Sequence, residues 1–266
     1  MDTREVLTRP AEPPDAVVRY GDHDDALIDV YLPPALGRPE EPLRLLVLVH
    51  GGFWRQEWDR VHVRPLADAL RHRGFVVALP EYRRVGGRGG WPQTAYDVEA
   101  AVEAAPSLLA EVVPGHVDVT APLSLAGHSA GGHLALWAGL RTRPSRVDSI
   151  VALAPVADVH YAAATGMGDR AVQALLGGEP DEQPEHYTEA DVVRLLPGHA
   201  DVTVIHGSQD EHVDVEMNRR LGQRYSGPTF CFTELPGTGH FELIDPLAAA
   251  FETSVLPACT RRSPRG

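Results

Sequence analysis

The stretch that most constrains this chain is Leu123–Gly139, LSLAGHSAGGHLALWAG. A short apolar run ends in glycine, one serine sits between Gly127 and Gly131, and an Ala/Leu-rich segment of helical character follows. That order reads as a buried strand, a sharp turn and a helix. A serine hydroxyl is a weak nucleophile that must be projected from the sheet toward a base, and a G-x-S-x-G turn does this. The flanking glycines leave room where a Cβ would clash, and the helix start aims its amides, including that of Ala130, at the reaction centre. Ser129 is therefore the candidate nucleophile.

The rest of the 266-residue chain repeats the strand–helix rhythm. Val/Leu/Ile-rich runs at 43–49, 75–80, 123–126, 149–154 and 202–205 read as buried strands. Helical patterns fall at 61–73, 93–110, 131–141 and 214–225. Alternation of this kind predicts a mostly parallel sheet with helices on both faces, the α/β class. Segments 17–20 and 26–32 read as an antiparallel edge pair, 229–235 as a last strand, and 245–256 as a C-terminal helix. The expected organisation is a single domain over 17–258, with flexible ends at 1–16 and 259–266. Between the strands near 154 and 202, residues 155–201 are too long for a simple loop and predict a small helical insertion over the active site.

Composition narrows the function classes. A net charge of −13 disfavours nucleic acid and anionic membranes as partners. The first residues, MDTREVLTRPAEPP, lack the apolar run of a secretory signal, and no run approaches the ~20 residues that span a bilayer, so a cytoplasmic location is expected. Cys231 and Cys259 fit no metal or redox spacing, no His/Asp/Glu pattern makes a metal site, and no cofactor is expected. The cluster at 86–90, GGRGG, lacks dinucleotide spacing and reads as a loop. All 24 basic residues are arginine, and Asn218 is the chain's single asparagine.

Two further motifs complete a hydrolytic site. His50-Gly51-Gly52-Phe53-Trp54 follows the first central strand, where side-chain-free backbone can turn amides toward an oxyanion. The second donor falls to Gly52 or Phe53, while His50 reads as a loop anchor. Phe53, Trp54 and Trp58 fit either the core or a substrate wall. After the strand at 202–205 comes His206-Gly207-Ser208-Gln209-Asp210-Glu211-His212, with Asp210 where an orienting acid belongs and Glu211 and Asp214 as rivals. The Gly-rich loop at 236–241 carries His240, the candidate base among 13 histidines. His128, His133, His206 and His212 flank motifs and have weaker claims.

With these residues the chain resembles the α/β-hydrolase superfamily from about residue 17 to 256. Within it, the chain is similar to the kynurenine formamidase (arylformamidase) and carboxylesterase group, through HGGFW at 50–54, EYRR at 81–84, WPQTAYDV at 91–98, GHSAGGHLA at 127–135, HGSQDEHV at 206–213 and GHFELIDP at 239–246. The resemblance implies a Ser129–His240–Asp210 triad and an oxyanion hole from the Gly51, Gly52, Phe53 and Ala130 amides. Phe53 departs from the tyrosine usual in formamidases. The implied activity is acyl transfer from a small-molecule formamide, with N-formylkynurenine the leading substrate, or alternatively from small acyl or aryl esters. A non-catalytic binding module is the remote alternative. By motif proximity, Trp54, Trp91, Tyr161 and Phe241 are expected substrate contacts.

Overall fold

The structure is a computed structural model, which describes residues 3–36, 43–143 and 146–261. Its centre is an eight-stranded sheet of β1 (Ala16–Arg19), β2 (Leu27–Tyr31), β3 (Arg44–Val49), β4 (Phe75–Pro80), β5 (Leu123–His128), β6 (Val147–Leu153), β7 (Asp201–Gly207) and β8 (Phe230–Leu235). The spatial order is β1-β2-β4-β3-β5-β6-β7-β8. The β1–β2 and β2–β4 pairs are antiparallel and every later pair is parallel. This is the α/β-hydrolase fold. β4 and β5 are buried along their full length, as expected of strands covered on both faces.

The helices are α1 (Arg64–Arg71), α2 (Gln93–Val112), α3 (Ala130–Arg141), α4 (Val159–Ala164), α5 (Met167–Leu176), α6 (Pro184–Ala190), α7 (Val215–Arg224) and α8 (Leu256–Thr260). The expected strands and major helices form within a few residues of their sequence positions. The C-terminal helix is displaced: a π-helical turn at Phe251–Val255 leads into α8, because Pro257 suits a first turn rather than a helix interior.

Two regions differ from expectation. Of the lead-in before residue 17, the described residues 3–16 are built into the fold rather than free. Thr3–Thr8 form a 3-10 helix, Val6 is fully buried, and the Arg9 guanidinium forms a two-point ion pair with Asp245. Likewise Cys259 is buried near the end of α8, which runs to Thr260; of the expected C-terminal tail, 262–266 lie outside the described residues.

The insertion over 155–201 contains α4, α5 and α6, as its length predicted. It packs against α2 and α3, and none of its residues lines the cavity described below. Trp91 Nε1 and Tyr96 OH donate to the Glu189 carboxylate at 3.0 and 3.2 Å, and Trp137 Nε1 donates to the Glu189 carbonyl at 2.8 Å. Burying these indole donors required polar partners, and the insertion supplies them. It reaches the site where the Phe53 ring lies on the backbone of Gly168, a position without room for a Cβ, and where the Val156 amide donates to the Ser129 carbonyl at 3.3 Å.

Candidate active site

Ser129 sits between β5 and α3 at φ 58°, ψ −121° and is almost fully buried. A β-carbon strains this left-handed backbone, and surrounding packing must hold it. The two glycines explain how. A Cβ on Gly127 would strike the Gly131 carbonyl, and one on Gly131 would strike the Val49 and His50 carbonyls, so α3 starts tight against the end of β3. The first amides of α3, with no intrahelical acceptors, stand beside the serine.

The loop expected to form the oxyanion hole follows β3. Gly52, Phe53 and Trp54 have φ of 108°, 52° and 57°, a left-handed run that turns the chain sharply across the β5 end. A Cβ at Gly52 would overlap Trp58, and one at Gly51 would come within 2.8 Å of the His128 carbonyl. Among the described residues no acceptor engages the Gly52 or Phe53 amide. His50 anchors the loop, as its sequence position suggested: it stacks on Tyr82, and its ring nitrogens lie 2.9 Å from Glu81 Oε1 and 2.8 Å from the Gly51 carbonyl. Burial opposes charge on Glu81, yet His50, Arg84 and the Arg60 amide together hold its carboxyl down at about 2.

Asp210 and His240 come together from the loops after β7 and β8. His240 Nδ1 donates to Asp210 Oδ2 at 2.6 Å, while the His212 and Val213 amides each donate to Oδ1 at 2.8 Å. Burial works against this carboxylate, but hydrogen bonds from His206 and His240 keep it well below the usual carboxylate range. Of the rivals, Asp214 is placed elsewhere: it caps α7 and accepts from Tyr161 OH at 2.5 Å. His128 Nε2 is bound to the His240 carbonyl at 3.1 Å, with the two rings 4.3 Å apart. Burial and the neighbouring His240 push the His128 imidazole far down, so it stays neutral and serves to hold the His240 loop.

These elements meet at a cavity of about 450 Å³, partly open to solvent. Ser129 and His240 both line it, together with Gly52, Phe53, Trp58 and Phe241. His128 and His212 line it as well, as do Leu7 from the N-terminal 3-10 helix and His62 from the 3-10 helix Arg60–Val63. Of the four expected aromatic contacts, only Phe241 reaches this space. Trp54 is fully buried, its inward turn set by positive φ, and packs edge-on against His133 at 5.5 Å. Trp91 packs on Trp137 at 5.2 Å. Tyr161 faces Asp214 and lies under the Arg220 guanidinium, outside the cavity. Leu7 and His62 carried no motif signal, since only tertiary packing brings the two 3-10 helices to the same wall. Despite the histidines here, no group of three or more His, Cys, Asp or Glu side chains is placed to hold a metal ion among the described residues.

Several known proteins are similar to this chain in sequence or in fold. The chain is 28% identical over 250 residues to Esterase LipC of Mycobacterium tuberculosis, covering 86% of this chain but only 60% of that protein. In structure it is similar to a truncated carbohydrate esterase from gut microbiota, with a TM-score of 0.73, 19% identity and coverage of 94% of this chain and 100% of that one. Thermogutta terrifontis esterase 2 gives a TM-score of 0.72 at 19% identity, covering 94% of each chain. The family model described as BD-FAE matches residues 28–225, a span that takes in the oxyanion loop, the elbow and Asp210 and stops before His240. Because that match covers most of the chain, this protein belongs to the BD-FAE family.

Proposed function

We propose that this protein is a serine carboxylesterase acting on small acyl or aryl esters, with Ser129, His240 and Asp210 as its triad. The observation that carries the reading is the 2.6 Å Asp210–His240 hydrogen bond at the wall of the cavity that Ser129 also lines. In acylation, Ser129 Oγ passes its proton to His240 Nε2 as the Oγ–carbon bond forms. The tetrahedral oxyanion accepts hydrogen bonds from the Ala130 amide and from Gly52 or Phe53. The carbon–oxygen bond to the alcohol then breaks, and the leaving oxygen takes the proton from His240. Water repeats the sequence to release the acid. Asp210 stays ionised and fixes the imidazole tautomer.

The relatives support an ester over a formamide: LipC is an esterase, and the Thermogutta esterase is known phosphoramylated by tabun and with propionate bound. Resemblance to formamidases stands without such support, and hydrolysis of N-formylkynurenine is the competing arm of the test. Rates on p-nitrophenyl acetate and butyrate are expected to exceed those on N-formylkynurenine in kcat/KM. The reverse order overturns the ester reading. Ser129→Ala should lower turnover by roughly 10⁴- to 10⁶-fold and abolish labelling by a fluorophosphonate. A folded Ser129→Ala protein of near wild-type rate excludes the mechanism.

A further inference from the structure

The acid of this site is itself held by two buried polar residues that the triad does not include. His206, in β7, is fully buried, as is Asn218 on α7. Asn218 Nδ2 lies 2.9 Å from the Pro155 carbonyl and 2.8 Å from His206 Nδ1. A carbonyl only accepts, so the amide nitrogen must face Pro155, and its second hydrogen is then directed at the histidine. His206 Nδ1 must therefore carry the lone pair, and its proton sits on Nε2. That nitrogen is 3.0 Å from the Val213 carbonyl and 3.1 Å from Asp210 Oδ2, the oxygen that also accepts from His240.

We infer that Asn218 and His206 are positioning residues for the acid of this esterase. Asn218 locks His206 as the Nε2–H tautomer, and His206 shares that proton between the Val213 carbonyl and Asp210 Oδ2. The inference rests on the reading of Asp210 and His240 as acid and base. Physically, the Asp210 carboxylate oxygen divides its charge between two imidazole donors. With His206 present, Asp210 keeps its orientation and draws less strongly on the His240 proton. Without it, the whole carboxylate charge acts on His240, which then holds a proton to higher pH. The chain's single asparagine is used where both amide hydrogens have acceptors and where leucine or aspartate would leave Nδ1 of His206 free to take the proton.

Other ionisable groups face this network. Glu234 is the β8 register partner of His206, and His206 also influences Asp214 electrostatically. On the far side, the His128 and His212 rings lie 4.3 and 5.1 Å from His240, with Arg4 and Glu211 near His212. None of them donates a side-chain hydrogen bond to Asp210 Oδ2 in the described residues, so none replaces His206.

The test compares wild type, His206→Leu, His206→Gln and Asn218→Leu, each shown folded by circular dichroism across the pH range used. His206→Leu is expected to lose roughly 10- to 100-fold in kcat/KM, the span of one hydrogen bond to a charged group, and to shift the acidic limb of the kcat/KM profile to higher pH. His206→Gln, which restores a donor near the Nε2 position, is expected to return that limb toward wild type. A folded His206→Leu protein with an unmoved acidic limb overturns the inference. If His206→Leu does not fold, nitrogen-15 spectra of histidine-labelled wild type decide. A neutral His206 protonated at Nε2 is expected, and the Nδ1–H form overturns the inference; Asn218→Leu should mix the two forms. Failure of the esterase reading shows separately, as turnover surviving Ser129→Ala, whatever the His206 tautomer.

Discussion

At the scale of single residues, the site depends on backbone conformations that side chains resist. Ser129 at φ 58° is held by the contact of α3 with β3 and by its amide donating to the Leu153 carbonyl at 2.8 Å. Such conformations cost about 1–3 kcal/mol for a residue with a Cβ. Ser129→Gly should therefore raise the stability of the protein by about 1 kcal/mol, after the greater freedom of an unfolded glycine is offset. Ser129→Ala, which keeps the Cβ, should not. The comparison reads out in urea midpoints; equal midpoints for the two variants would show that the turn is unstrained.

At the scale of elements, the N-terminal 3-10 helix and the insertion have opposite roles. The N-terminal 3-10 helix forms part of the cavity through Leu7, and its neighbour Val6 anchors it in the core. The insertion, long and helical, supports α2 and α3 through Glu189 but contributes no lining residue. Leu7→Ala should thus change KM or acyl-length preference several-fold while stability moves by less than about 1 kcal/mol, as expected for a half-exposed position. Glu189→Ala should do the reverse. Two donors, on Trp91 and Tyr96, lose their acceptor, stability drops by about 1–2 kcal/mol, and kcat/KM stays within twofold. Steady-state kinetics beside thermal melts separate the pair. A Glu189→Ala protein with an altered KM would put the insertion at the substrate.

At the scale of the molecule, buried histidines couple stability to pH. Burial pushes His62 and His133 down to about 4. The folded protein thus keeps both neutral where the unfolded chain, titrating near 6.5, already binds protons. Their contribution is complete above pH 6.5 and is lost as pH falls toward 4. Glu81, held at about 2, adds a separate loss that begins below 4.5. The melting temperature should decline between pH 6.5 and 4, and more shallowly in His133→Gln, which keeps a donor for the Ala190 carbonyl now 2.8 Å from His133 Nε2. An identical slope in that variant would remove His133 from the account. No helix among the described residues is long and apolar enough to cross a membrane.

Much of this protein is legible from its sequence because local physics determines it. Apolar runs of strand length between helical patterns imply a parallel α/β sheet, and G-x-S-x-G after such a run implies the turn on which Ser129 now sits. Asp210 and His240 follow strands in the order that such a fold requires, and the structure brings them into contact. The tertiary structure alone decided which aromatic residues face the cavity. Trp54, Trp91 and Tyr161 are near motifs in sequence, but the positive φ of the 52–54 loop and the polar anchors Glu189 and Asp214 turn them away. Leu7 and His62 enter instead through pairing of two short 3-10 helices that no periodicity marks. The partners of Asp210 are of the same kind. His206 and Asn218 are twelve residues apart, and only the packing of α7 on β7 brings an amide, an imidazole and a carboxylate into one hydrogen-bonded line. Sequence order determines the chemistry at strand ends, whereas side-chain direction across elements is set by packing.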